Sequence, residues 1–261
     1  MKIQLLGSSM LRIVSEKGKI IIVDPWITDN PTCPKEWQDK GKWSDVDLVL
    51  CTHAHFDHST DLEEILDVNK RVMGVVQYEY FLIKFAGRRG NIFPLNFGGT
   101  CSLLEDIQVT LVPAKHSSSF GEGEGFKLVG SPAGFIIRLE NGFTIYVSGD
   151  TGFISEMKTL IGDFYKPDLA VLSVADIFSM GPAEGAYAAS LIGAKFNIPC
   201  HWLPKVDDAA DPEGMKEFIK KYPLAKFLVE KNKEFAKELE KYPDQECIHL
   251  NPGESFSPPS H

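Results

Sequence analysis

The stretch Cys51-Thr52-His53-Ala54-His55-Phe56-Asp57-His58 constrains this chain more than any other. Val46 and Leu48–Leu50 precede it as an apolar, β-branched run of strand length, so the polar side chains of His-x-His-x-Asp-His emerge where a buried strand ends. Loops held by a rigid strand are where binding and catalytic groups concentrate. Three imidazoles and a carboxylate within six residues are poor core material, because a buried polar group costs free energy unless it has a partner. A divalent cation supplies that partner, since imidazole nitrogen and carboxylate oxygen suit Zn2+, Mn2+ or Fe. In a turn, His53 and His55 can face one way while Asp57 and His58 face another, which suggests two adjacent metal positions. The bland alternative is a solvated polar turn, which a single histidine would fit better than this cluster does.

Taken in order, the chain opens with strands predicted at 3–6, 10–15 and 20–23, leading into Asp24-Pro25-Trp26. Asp24 is either a turn former or a partner that orients a metal ligand. The aromatics Trp37 and Trp43 of the loop over 28–44 line a pocket entrance or simply anchor that loop. Ser59 or Thr60 can cap a helix over 60–66. A strand over 71–77, a helix over 78–86 and a strand over 107–112 follow. Strands alternating with helices indicate an α/β layered fold.

His116 again follows an apolar strand, and the Gly-rich loop over 120–132, with Glu122 and Glu124, is a candidate mobile flap or a tolerated insertion. A hairpin turning at Asn141-Gly142 ends in Ser148-Gly149-Asp150-Thr151-Gly152. The two glycines let the backbone turn tightly and place Asp150 beyond the sheet edge, where it can bridge two cations. A strand over 169–174, an Ala-rich helix from Gly181-Pro182 to about Lys195, and a strand over 198–200 running into His201 come next. Residues 212–221 and 231–241 read as surface helices. The expected organisation is one domain over 1–250 and a frayed tail over 251–261.

Of seven histidines, five (His53, His55, His58, His116, His201) sit just past apolar strands. With Asp57 and Asp150 they make seven ligands, enough for two cations with positions left for water or substrate. At 261 residues and 43% hydrophobic, the chain can build a sizeable core. The net charge of −9 argues against nucleic acid as an electrostatic partner, and the basic group Lys84, Arg88 and Arg89 reads as a solvated face. The five cysteines, with no Cys-x-x-Cys pair, read as reduced thiols. The chain opens without a signal-peptide pattern and has no membrane-spanning stretch, so a cytoplasmic protein acting on a small molecule, with homo-oligomerisation left open, is the expectation.

His-x-His-x-Asp-His, a lone His after a strand, Ser-Gly-Asp-Thr-Gly and a final His after another strand together resemble the metallo-β-lactamase superfamily, from the opening strands to about His201. Asp24-Pro25, Pro113-Ala114-Lys115-His116-Ser117-Ser118 and Met180-Gly181-Pro182-Ala183-Glu184 resemble its small bacterial hydrolases, the ascorbate-6-phosphate lactonase group included. The resemblance implies an αββα sandwich, two mixed sheets flanked by helices, with a dinuclear centre at one sheet edge. It implies that His53, His55 and His116 hold one metal, that Asp57, His58 and His201 hold the other, and that Asp150 bridges. Zn2+ is the first choice of metal, with Mn2+ or Fe accepted by the same donors. Relatives often carry a His after the first strand's Gly, where this chain has Ser8 and Ser9.

The implied activity is hydrolysis of a small ester, lactone or phosphodiester, with a phosphorylated substrate favoured by the lactonase likeness and with Asp57 orienting water or carrying its proton. Ser117–Ser119 either contact substrate or shape the turn after His116. An iron oxidoreductase on the same scaffold is the alternative, although flavin-linked di-iron relatives put Glu where this chain has His55. A non-catalytic metal-binding module is the third reading.

Overall fold

The computed structural model describes residues 1–69, 71–87, 90–121 and 123–259. Apolar runs without alternation, such as Ile20-Ile21-Ile22-Val23, have no polar face to offer water, and they become strands covered on both sides. The first sheet contains β1 (Lys2–Gly7), β2 (Met10–Val14), β3 (Ile20–Val23), β4 (Leu48–Leu50), β5 (Met73–Gln77) and β6 (Ile92–Leu95), in that spatial order. It opens as an antiparallel meander and continues parallel from β3 to β6.

The second sheet contains β7 (Thr100–Leu104) and β8 (Ile107–Pro113); the small hairpin of β9 (Ser119–Phe120) and β10 (Lys127–Leu128) stands apart from it. Then come β11 (Ala133–Arg138), β12 (Thr144–Val147), β13 (Leu169–Ser173), β14 (Phe196–Cys200) and β15 (Glu246–Cys247), parallel from β12 onward. Finally β16 (Ser255–Phe256) returns to pair with β1 in the first sheet.

The two sheets pack face to face. Ile21, Val23, Leu48 and Leu50 meet Leu111, Phe135, Val147 and Val171 in one buried layer. Alternate residues of the same strands, including Ile22 and Val49, face outward under α1 (Phe56–Ser59), α2 (Leu62–Val68) and α3 (Tyr78–Tyr80), the last continuing as a wide turn over Phe81–Phe85. The outer face of the second sheet is covered by α4 (Pro182–Ile192), by α6 (Lys231–Leu239) and by a π-helical segment over Met157–Tyr165. Between α4 and α6 in sequence, α5 (Pro212–Lys221) packs beside the sandwich. This is the αββα arrangement expected from the resemblance.

Three local expectations need correction. The helix expected over 60–66 is α2, which starts at Leu62, and the separate short helix α1 precedes it, so Asp57 and His58 are helical as well. Residues 255–256 do not fray: Leu5 N–H donates to Glu254 O and Gly253 N–H to Leu5 O, tying the end of the chain to β1. Within the loop over 120–132, Lys127 and Leu128 pair with Phe120 and Ser119 in a short hairpin; Glu122 lies outside the described residues. Trp37 and Trp43 pack on each other with ring centroids 5.9 Å apart and anchor their loop. Of the basic group, Lys84 pairs with Glu63 at 3.2 Å, while Arg88 and Arg89 lie outside the described residues. The five cysteines are free thiols, and Cys200 points into the layer between the sheets.

Candidate metal centre

Neighbouring parallel strands bring their carboxyl ends to one edge of the sandwich. In the first sheet β3 ends at Asp24 and β4 leads into His53. In the second, β12 leads to Asp150, β13 ends at Ser173 and β14 delivers His201, while β8 leads to His116. The turns are conformationally demanding. Gly149, just before Asp150, has φ +58°, and a Cβ there would lie 2.4 Å from Ala133 O, so only glycine fits. Asp24 and His201 themselves hold φ of +52° and +60°, a cost that side chains bear at sites the surrounding structure over-determines.

All seven residues expected from the sequence meet here. His55 Nδ1 lies 2.9 Å from His53 Nε2 and 3.3 Å from His116 Nε2. His201 Nε2 lies 3.1 Å from Asp57 Oδ2, and His201 Nδ1 lies 2.7 Å from Asp150 Oδ1. Asp150 Oδ2 stands between the two groups, 3.5 Å from His58 Nε2 and 3.7 Å from His116 Nε2. Ligand atoms of His53, His55 and His116, of His53, His58 and Asp150, and of Asp57, His58 and His201 each lie within 4.8 Å of one another.

The donor set fits divalent cations on geometric grounds. Two imidazole nitrogens facing each other at 2.9 Å need a shared proton or a cation between them, and donors bound to one tetrahedral ion at about 2.0–2.1 Å lie roughly 3.3 Å apart. His58 Nε2 is buried without a hydrogen-bond partner, an orphan of the kind a metal satisfies.

Electrostatics divides the cluster. Burial holds His55 down to about 4 and lowers His53 and His116 as well, so these imidazoles present lone pairs. Burial also opposes charge on His58 and His201, but Asp150, with Asp57 and for His58 also Asp24, outweighs it. His58 rises well above its ordinary value and His201 rises to about 9. In return, burial pushes the Asp57 and Asp150 carboxyls up while His58 and His201 pull them further down. The pocket therefore offers neutral imidazoles on one side and imidazoles paired with carboxylates on the other.

A family model described as a beta-lactamase superfamily domain matches residues 19–202. The chain belongs to the beta-lactamase superfamily. Within the superfamily it is 33% identical over 259 residues to a UPF0173 metal-dependent hydrolase of Chloroflexus aurantiacus, covering 98% of this chain and 96% of that protein. It is 39% identical over 203 residues to one of Methanosphaera stadtmanae, covering 77% of this chain and 84% of that one. This superfamily member is thus one of the UPF0173 metal-dependent hydrolases. The metallo hydrolase Igni18 from Ignicoccus hospitalis has the same beta-lactamase superfamily architecture, with a TM-score of 0.76 at 26% identity over 98% of each chain. No helix among the described residues is long and apolar enough to cross a membrane.

The orienting groups were only partly legible in the sequence. Asp24 is the partner of a candidate ligand: its carboxylate accepts from Thr52 N at 2.7 Å and Thr52 Oγ1 at 2.8 Å, and meets His58 Nδ1 at 2.8 Å. Ser118 Oγ accepts from Ala54 N, shaping the loop, whereas Ser117 Oγ lies 3.3 Å from His55 Nε2. Ser173 and Ser179 were missed. Ala175 N–H donates to Ser179 Oγ, which leaves the Ser179 hydroxyl to donate to Ser173 Oγ at 2.7 Å and Ser173 to donate to Asp150 Oδ1 at 2.9 Å. Oδ1 is thereby held from two sides, by Ser173 and His201, and Oδ2 remains directed at the cluster. A polar residue ending an apolar strand, the signal that singled out Asp150 and His201, also marks Ser173.

Proposed function

We propose that this chain is a dinuclear hydrolase of a small ester, lactone or phosphodiester. The observation that carries the reading is the convergence of seven ligand atoms from separate strand ends into groups of metal-binding size. His53 Nε2, His55 Nδ1 and His116 Nε2 would hold one cation; Asp57, His58 and His201 the other; and Asp150 Oδ2 would be shared. Zinc suits this set, and manganese or iron is acceptable to the same donors. Two cations so held supply Lewis-acid activation of a shared water and of the scissile bond.

The protein's own groups do the rest. Asp24 fixes the tautomer of His58 through Nδ1, and Ser117 Oγ lies beside the outer nitrogen of His55. Asp57 and Asp150 both line the cleft, and Asp57 is the more exposed, its side chain 18% exposed against 2% for Asp150, so it can take a proton from water and pass it to the leaving group. His201 Nε2 lies 3.1 Å from Asp57 Oδ2, so the two side chains converge on the same candidate position.

The test is metal stoichiometry and identity on protein purified without chelator, paired with turnover of lactone, phosphodiester and thioester substrates. Two equivalents with hydrolysis, and joint loss of metal and activity in His116→Ala, are expected. Iron without hydrolysis would move the assignment to redox chemistry, and two equivalents without any turnover to a non-catalytic module.

Two milder substitutions probe the supports. Ser173→Ala removes the donor that fixes Asp150 Oδ1 and is expected to weaken metal binding about 10- to 100-fold, measured by chelator competition. Ser8→Ala should leave metal content unchanged, because what Ser8 gives His201 is a backbone carbonyl, accepting from His201 N at 2.9 Å. Metal loss in that variant would identify a serine ligand.

A further inference from the structure

The cleft that opens onto the metal-binding residues is small and has an aromatic wall. Its volume of about 380 Å³ suits a small molecule. Phe56, carried between His55 and Asp57 on the ligand loop itself, is 44% exposed and turns its ring toward α5. It stacks on Tyr222 with centroids 5.1 Å apart and planes 16° from parallel. Trp26 meets Phe56 edge-on at 5.6 Å and lies 5.5 Å from Phe218, which in turn lies 5.1 Å from Tyr222. Phe178, Leu203, Ala225 and Leu228 complete the apolar lining. Among the described residues, no lysine or arginine lines this cleft; its charged members are those of the candidate centre.

Those two facts select a substrate. Lys221 Nζ lies 5.0 Å from the Tyr222 ring centroid but does not line the cleft, so a charged group remote from the cleaved bond would lose its water against the aromatic lining, whereas an alkyl or aryl group gains by burial there. We propose that the substrate is an uncharged ester or lactone whose acyl portion is apolar, packed against Phe56, Phe218 and Tyr222 while its carbonyl faces the ligand cluster. A remote phosphate, expected from the lactonase likeness, does not suit this wall. Hydrolysis adds the oxygen of water to the carbonyl carbon and breaks the bond to the alkoxy oxygen. One proton goes to that leaving oxygen and the other to solvent from the new acid. This inference rests on the hydrolase reading of the site.

The experiment uses the full-length zinc-loaded protein and three p-nitrophenyl esters: acetate, hexanoate and the anionic succinate hemiester. The expected kcat/KM for hexanoate exceeds that for acetate at least about 30-fold, and the hemiester falls below acetate. Phe218→Ala and Tyr222→Ala, checked for intact metal content, should each shrink the hexanoate-to-acetate ratio about tenfold. A hemiester preferred over hexanoate, or an unchanged ratio in both variants, overturns the inference. Binding without turnover separates it from the reading beneath it: N-methylhexanamide, which carries its alkyl chain on the acyl side, should raise the Tm of the native protein and not of Tyr222→Ala. If that shift is seen but no ester is hydrolysed, the wall stands and the hydrolase reading falls; if esters are hydrolysed and the amide shifts both proteins alike or neither, the wall falls.

Discussion

Asp150→Asn is expected to empty the centre of both cations and to lower hydrolysis by at least about 10³-fold. The two oxygens of Asp150 have different tasks. Oδ1 is engaged by the Ser173 hydroxyl at 2.9 Å and by His201 Nδ1 at 2.7 Å, and Oδ2 faces His58 and His116. An asparagine can place its oxygen on one side only. With the carbonyl toward Ser173, the amide N–H groups point at the candidate metal positions; with the carbonyl toward the cluster, they point at two donors. Neither orientation satisfies the site, although the shape of the side chain is kept. Elemental analysis after dialysis, together with steady-state hydrolysis, checks the result. Loss of a single equivalent would show that Asp150 serves one metal and does not bridge.

The seven residues of the cluster were legible because each is a polar side chain at the end of a buried strand, where no core role competes for it. Strand ends of parallel neighbours come into register automatically: Val147 pairs with Val171 and Ser173 with Cys200, so Asp150, Ser173 and His201 arrive at one edge. What could not be read was the cleft. Met215, Phe218 and Ile219 in α5, with Tyr222 at its C-cap, recur at helical spacing and mark an apolar face, but spacing alone does not say what that face covers. A surface helix was the natural reading, and Phe218 and Tyr222 line the cleft beside the cluster.

Parts of the fold were hidden for related reasons. The π-helical segment over Met157–Tyr165 departs from the period of 3.6 residues on which helices are recognised. The pairing of Phe256 with Ile3 joins residues from opposite ends of the chain, and a two-residue strand carries too little local signal to announce it. Asp24 was ambiguous because an aspartate after a strand is a good turn former. Its positive φ supports that role, yet its carboxylate is spent on Thr52 and His58. It performs both tasks at once.

That dual role makes Asp24 the second position of large effect, and two substitutions separate its parts. Asp24→Asn keeps the shape and tolerates the left-handed backbone, but its amide nitrogen must face a donor: either Thr52 or His58 Nδ1. The His58 tautomer is then no longer fixed with Nε2 free for a metal, and affinity at that position is expected to fall about 10- to 100-fold while the fold persists. Asp24→Ala removes every acceptor. Thr52 N and His58 Nδ1 are left buried and unpaired, a loss of about 3–5 kcal/mol, or a fall in Tm on the order of 10 °C. Metal titration of the first variant and thermal unfolding of the second, both as purified and after chelation, read the two effects. If Asp24→Asn binds metal as tightly as the parent, His58 is oriented by its helix alone; if Asp24→Ala unfolds no earlier, water replaces the carboxylate between Thr52 and His58.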